Sequence, residues 1–112
     1  MALFDKTPDR RFEPRRPANT RGVLVAPGLE LACRIVDLSD GGMRLRLDRA
    51  ISLPAVVTVV DVDAGTACEA SVAWSKGQEA GLKCAARPTP LKGLVPARLA
   101  HARDAWARAG GR

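Results

Sequence analysis

Two short clusters in this sequence bring unlike chemical groups together at fixed spacing: Arg10-Arg11-x-x-x-Arg15 and, after twenty-one intervening residues, Asp37-x-Ser39-x-x-Gly42. A guanidinium is a planar fork that can donate two parallel hydrogen bonds to O6 and N7 of guanine, stack its flat face on a purine, and attract phosphate. An ionised Asp37 offers only acceptors, which suits the N1 and N2 protons that such arginines leave free. A hydroxyl at Ser39 suits a phosphate or sugar oxygen, and Gly42 allows a positive φ or close approach of backbone to ligand. Together these groups describe a site for a guanine nucleotide.

The elements that must position them are short strands. Leu24 to Val25 and Leu29 to Val36 read as the first two, joined at the Pro27-Gly28 turn. Within the second, Leu31, Cys33 and Ile35 alternate with Ala32, Arg34 and Val36, giving one apolar and one mixed face. Asp37 to Gly42 then forms a turn. Met43, Leu45 and Leu47 alternate with Arg44 and Arg46 as a half-buried strand whose arginines face solvent or a partner. Ala55 to Val62, Thr66 to Trp74 and Glu79 to Cys84 complete six strands at regular spacing, which suggests an all-β fold closed into an antiparallel β-barrel. Trp74 is expected in its core. Pro88 and Pro90 are expected to stop the sheet, after which Val95, Leu99, Ala102 and Trp106 recur at helical spacing. That C-terminal α-helix is expected to cap the open end of the barrel with Leu99 and Trp106; docking on a partner is its other reading.

A chain of 112 residues suffices for one domain and not for two separate cores. Aromatic residues are 4% of it and tyrosine is absent, so valine, leucine and alanine must fill the core. The net charge of +6 is uneven: residues 1 to 21 carry +3, residues 22 to 86 carry −2 and residues 87 to 112 carry +5. The ends therefore either favour an anionic partner or serve solubility. Cys33, Cys68 and Cys84 are odd in number, follow no secretory signal and sit in apolar, strand-like surroundings, which predicts a cytoplasmic protein with buried thiols. One histidine, His101, and no C-x-x-C pair argue against a zinc site, and no apolar run reaches the roughly 20 residues that span a membrane. No nucleophile has an adjacent base, so catalysis is not expected.

In order and spacing the two clusters resemble the PilZ domain, a bacterial receptor module for cyclic di-GMP whose signature is R-x-x-x-R followed by [D/N]-x-S-x-x-G. Arg11-Phe12-Glu13-Pro14-Arg15 matches the first part, with Arg10 as an additional leading arginine, and Asp37-Leu38-Ser39-Asp40-Gly41-Gly42 matches the second. Val72-Ala73-Trp74 and Gly81-Leu82-Lys83 look like the closing strands of that family. The resemblance implies a six-stranded barrel and a ligand, cyclic di-GMP, bound by Arg10, Arg11, Arg15, Asp37, Ser39 and Gly42, with no further cofactor. Arg10 and Arg11 would take phosphate and a guanine face, and Arg15 a guanine Hoogsteen edge. Asp37 would read guanine and orient an arginine, and Arg16, Arg44 and Arg46 would add positive field.

The chain accordingly divides into a flexible basic arm (residues 1 to 20), a barrel (21 to 86) and a linker with helix (87 to 112). The expected function is a signalling receptor whose arm orders on ligand and alters a surface met by a protein effector. The alternative is a nucleotide-independent interaction adaptor. A nucleic-acid partner is not expected, for want of an aromatic stacking face. Simpler roles remain open: a solvated arm for the arginines, and turn-capping for Asp37, Ser39 and Gly42.

Overall fold

Gly28 and Gly77 take left-handed φ angles of 71° and 59°, and at each the chain reverses into a hairpin. The computed structural model describes residues 16–39, 41–85 and 87–111. It contains strands β1 (Arg16–Ala26), β2 (Leu29–Ser39), β3 (Gly42–Leu47), β4 (Val56–Asp61), β5 (Thr66–Lys76), β6 (Glu79–Cys84) and a two-residue β7 (Thr89–Pro90), followed by a 3-10 turn (Ala97–Leu99) and helix α1 (Ala100–Arg108). The six long strands pair antiparallel in the order β4-β1-β2-β3-β6-β5, and β4 also pairs with β5. The expected six-stranded barrel is thereby closed.

Alternation decides which side chains fill it. Leu24, Leu31, Ile35, Leu45, Leu47, Val57, Val59 and Ala70 point inward and are buried together. A second apolar cluster lies outside the wall, where Val23 and Val25 of β1 and Val60 and Val62 just beyond them pack against Leu91, Leu99, Ala102, Ala105 and Trp106. This explains the valine run of β4: both faces of that strand are covered, one by the barrel interior and one by α1.

Several expectations change. The helix does not cap an open end of the barrel; it lies on the outer wall of β1 and β4, because those strands carry a second apolar face that a cap would leave in water. The first strand begins at Arg16, not Leu24, so residues 16 to 20, assigned to the arm by sequence, include partners of β2. A register shift between Pro17 and Thr20 breaks their alternation, and Gly22 leaves an inward position without a side chain, since a Cβ there would sit 3.0 Å from the Val60 carbonyl oxygen. The sheet does not stop at Pro88. Thr89 and Pro90 pair with Ala67 and Thr66 on the part of β5 that β6, which reaches only to Ala70, leaves open. A short edge strand tolerates a proline that lacks an N–H. Among the described residues no helix is long and apolar enough to cross a membrane.

Of the three thiols, Cys33 and Cys68 are buried and Cys84 is half-buried. Burial pushes the Cys33 thiol up to about 12, whereas a hydrogen bond from Cys68 brings Cys84 down to about 7 and raises Cys68 in return. The sign follows directly: below that pH Cys84 is a weakly reactive thiol, above it a thiolate. Peptide mapping after iodoacetamide treatment of the folded protein should show Cys84 modification accelerating through about pH 7, with Cys33 unmodified up to pH 9.

Trp106 holds α1 to the wall. Its Nε1 donates to the Val62 carbonyl at 2.9 Å, and its ring covers Gly65 and Gly111. Urea unfolding of Trp106→Ala should show a loss of about 3–5 kcal/mol, the usual cost of deleting a buried aromatic side chain.

Candidate functional site

Strict alternation from Leu31, Cys33 and Ile35 would aim Asp37 into the barrel. It does not point there. Ile35 pairs with Leu45 and Asp37 with Arg44, leaving Val36 as an extra residue that rotates the end of β2 by one position. Leu38 then packs inward, and Asp37 and Ser39 stand on the outer face. The same thing happens on β5: Val72 pairs with Leu82 and Trp74 with Gly81, so Ala73 is the extra residue and Trp74 is turned out of the interior. Trp74 is 44% exposed, which corrects its expected place in the core.

The two bulges align four residues from four strands, Asp37, Arg44, Gly81 and Trp74, each directly opposite the next. A second row along the same strands reads Ser39, Gly42, Lys83 and Ser71. Between them lies an open depression of about 430 Å³, lined by Asp37, Ser39, Gly42, Arg44, Trp74 and Lys83. Its volume falls within the range of small-molecule sites, roughly 300–1,000 Å³. Gly81 is what lets the indole in: a Cβ there would lie within bonding distance of Trp74 Nε1.

Charge in the depression is already arranged. Arg44 Nε donates to Asp37 Oδ2 at 2.8 Å and Arg44 Nη1 to Glu79 Oε1 at 3.3 Å. The hydrogen bond to Asp37, reinforced by the charges of Asp37 and Glu79, pushes the Arg44 guanidinium above its ordinary range. The Asp37 side chain retains 20% of its surface in solvent, and its Oδ1 makes no hydrogen bond to the described residues, so it keeps acceptor capacity for a ligand. Ser39 Oγ donates to the Gly42 carbonyl at 3.3 Å and clasps the hairpin; it must rotate to donate to a phosphate. The chemistry available is recognition: a carboxylate acceptor, an indole face for a base, and the Lys83 ammonium with Arg44 for an anion.

Asp37, Ser39 and Gly42 thus come together as expected, while Arg10, Arg11 and Arg15 lie outside the described residues. The expected turn from Asp37 to Gly42 is shorter, because β2 runs to Ser39 and β3 begins at Gly42. Gly42 does not adopt a positive φ. Side-chain freedom is excluded there by the sheet itself, since a Cβ would meet the Leu82 carbonyl oxygen at 2.5 Å. Sequence reasoning missed three residues at the site. Trp74 and Lys83 were visible only as strand positions, and Arg44, expected to supply field without contact, is the arginine that Asp37 holds. Nothing in the alternation pattern signalled the two extra residues that bring them together.

No curated protein and no solved structure matches the chain. A family model described as PilZ domain matches residues 9–93, which include both motifs, all six barrel strands and β7. PilZ domains are ligand-binding or adaptor modules rather than enzymes. The match takes in 85 of 112 residues, and the closed barrel carries its D-x-S-x-x-G hairpin at the outer-face depression beside the start of β1; this chain belongs to the PilZ domain family.

Proposed function

We propose that this chain is a cyclic di-GMP receptor that binds the dinucleotide over the Asp37–Trp74 row and carries out no turnover. The observation supporting this most strongly is the row itself: an acceptor carboxylate and an exposed indole on one open face, beside the backbone where β1 begins. Arg16 pairs with Leu38 and Pro17 with Asp37, so the last arginine of the first motif, Arg15, is the covalent neighbour of a residue at the edge of the site. Cyclic di-GMP carries two guanines and two phosphates. Asp37 accepts from the N1 and N2 protons of one guanine, and Trp74 offers its face to a base. Arg10, Arg11 and Arg15 supply phosphate charge and purine contacts, and Lys83 adds a further cation. Ordering of residues 1 to 15 over the ligand changes the surface shown to a protein effector, so ligand binding and effector binding share one coupling free energy.

Calorimetric titration tests the reading. Wild type should bind with micromolar or tighter Kd, about −8 kcal/mol. Arg15→Ala and Asp37→Ala should each weaken binding at least tenfold, about 1.4 kcal/mol, and Trp74→Ala should cost about 1–3 kcal/mol if a base stacks there. Equal heats from all four proteins, or none from wild type, would leave the ligand-independent adaptor as the function.

The glycine under the indole gives an independent check. In a Trp106→Phe background, where Trp74 alone fluoresces, Gly81→Ala should shift emission to the red as the ring is expelled into water. Affinity for cyclic di-GMP should drop by the same factor as in Trp74→Ala.

A further inference from the structure

Two residues along the strands from the Asp37–Trp74 row, the outer face carries a row of a different kind. Arg21 of β1 stands opposite Arg34 of β2, and Arg34 opposite Arg46 of β3. Three guanidinium-bearing side chains therefore occupy adjacent strands, within a span of about 10 Å at the ordinary strand spacing. Like charges directly opposite each other destabilise a sheet, and such a row needs compensation. Arg21 has some: its Nη1 donates to the Ala109 carbonyl at 3.2 Å and its Nη2 lies 3.7 Å from Asp63 Oδ1. Arg34 and Arg46 have no ion-pair or hydrogen-bond partner among the described residues. The carboxylate directly opposite Arg46 is Glu79, but Glu79 is engaged by Arg44. Asp48 lines the same region and pairs with neither arginine.

These arginines rim an open depression of about 590 Å³ in which Ala32 and Ala109 give the accessible apolar floor. Its size suits a small molecule better than a macromolecular surface. Two adjacent uncompensated cations call for close to two negative charges from one group. A carboxylate brings one; a phosphomonoester brings about 1.5 to 2 at neutral pH and offers three oxygens to two guanidinium forks.

We propose that Arg34 and Arg46, flanked by Arg21, form a second anion site on the outer barrel wall, which takes the phosphate group of a small phosphomonoester whose body rests on the apolar floor. The site is separate from the dinucleotide depression and does not depend on that assignment.

The test is a titration with inorganic phosphate at constant ionic strength, read by calorimetry and by melting temperature, on wild type, Arg34→Gln, Arg46→Gln and the double variant. Phosphate should bind wild type, should bind each single arginine variant at least fivefold more weakly, and should lose this binding in the double variant. Without phosphate, the arginine variants should melt at or above wild type, because a like-charge contact has been removed; this separates loss of a site from loss of fold. O-phosphoserine and a nucleoside 5′-monophosphate, titrated in parallel, distinguish a small aliphatic phosphomonoester from a nucleotide, and the tighter of the two identifies the body that accompanies the phosphate. An effect that chloride reproduces at equal ionic strength would overturn the proposal. So would phosphate binding in the double variant equal to that of wild type.

Discussion

A closed barrel of alternating strands has only two places for a side chain, inside with Ile35 and Leu45 or outside in water, and a single extra residue exchanges them. Val36 on β2 and Ala73 on β5 are such residues, and the site depends on both. Without the first, Asp37 would carry a carboxylate into an aliphatic interior with no counter-ion, which costs far more than a domain of this size can offset. Without the second, the Trp74 indole would have to be fitted among Val72, Leu82 and Ala70, where small side chains now pack. The bulges thus resolve a conflict between a motif that needs polar and aromatic groups at set spacings and a core that excludes the charge and lacks room for the ring.

Arg44 is the second element on which the face is built. By holding Asp37 and Glu79 together it fixes the carboxylate's orientation, a charge-assisted contact that shortens and aligns the bond. The contact is partly in solvent, so its worth to stability is small. Its consequences for the neighbouring charges are larger: both carboxylates near the middle of the face are engaged, and Arg34 and Arg46 are left without counter-ions among the described residues. The face is consequently divided into a compensated row beside an uncompensated one, two residues apart on the same strands.

Much of the barrel was legible in the sequence, because period-two patterns at Leu31 to Ile35 and Met43 to Leu47 and glycine-marked turns are local signals. The hidden parts were nonlocal. Val60 and Trp106 lie 46 positions apart, and nothing within β4 announces that its outer valines are covered by a helix. At the candidate site, residue types and spacing disclosed Asp37, Ser39 and Gly42. Arg44, Trp74 and Lys83 were not assigned to it because strand register, which only pairing partners define, decides whether they share a face with Asp37. The reason for Gly42 also lay across strands, in the Leu82 carbonyl, rather than in its own backbone angle.

The distribution of apolar surface gives the barrel two unequal halves. Helix α1 covers the outer wall of β1 and β4, and its indole hydrogen bond to Val62 ties it there. Among the described residues the outer face across β2, β3, β6 and β5 carries no such cover and bears both depressions. Arg21 marks the border: it reaches the carbonyl of Ala109 just past α1 while standing in register with Arg34, and the C-terminal end of the helix therefore forms one wall of the arginine-lined depression. The element that completes the second core also bounds the place where Arg34 and Arg46 stand without a partner among the described residues.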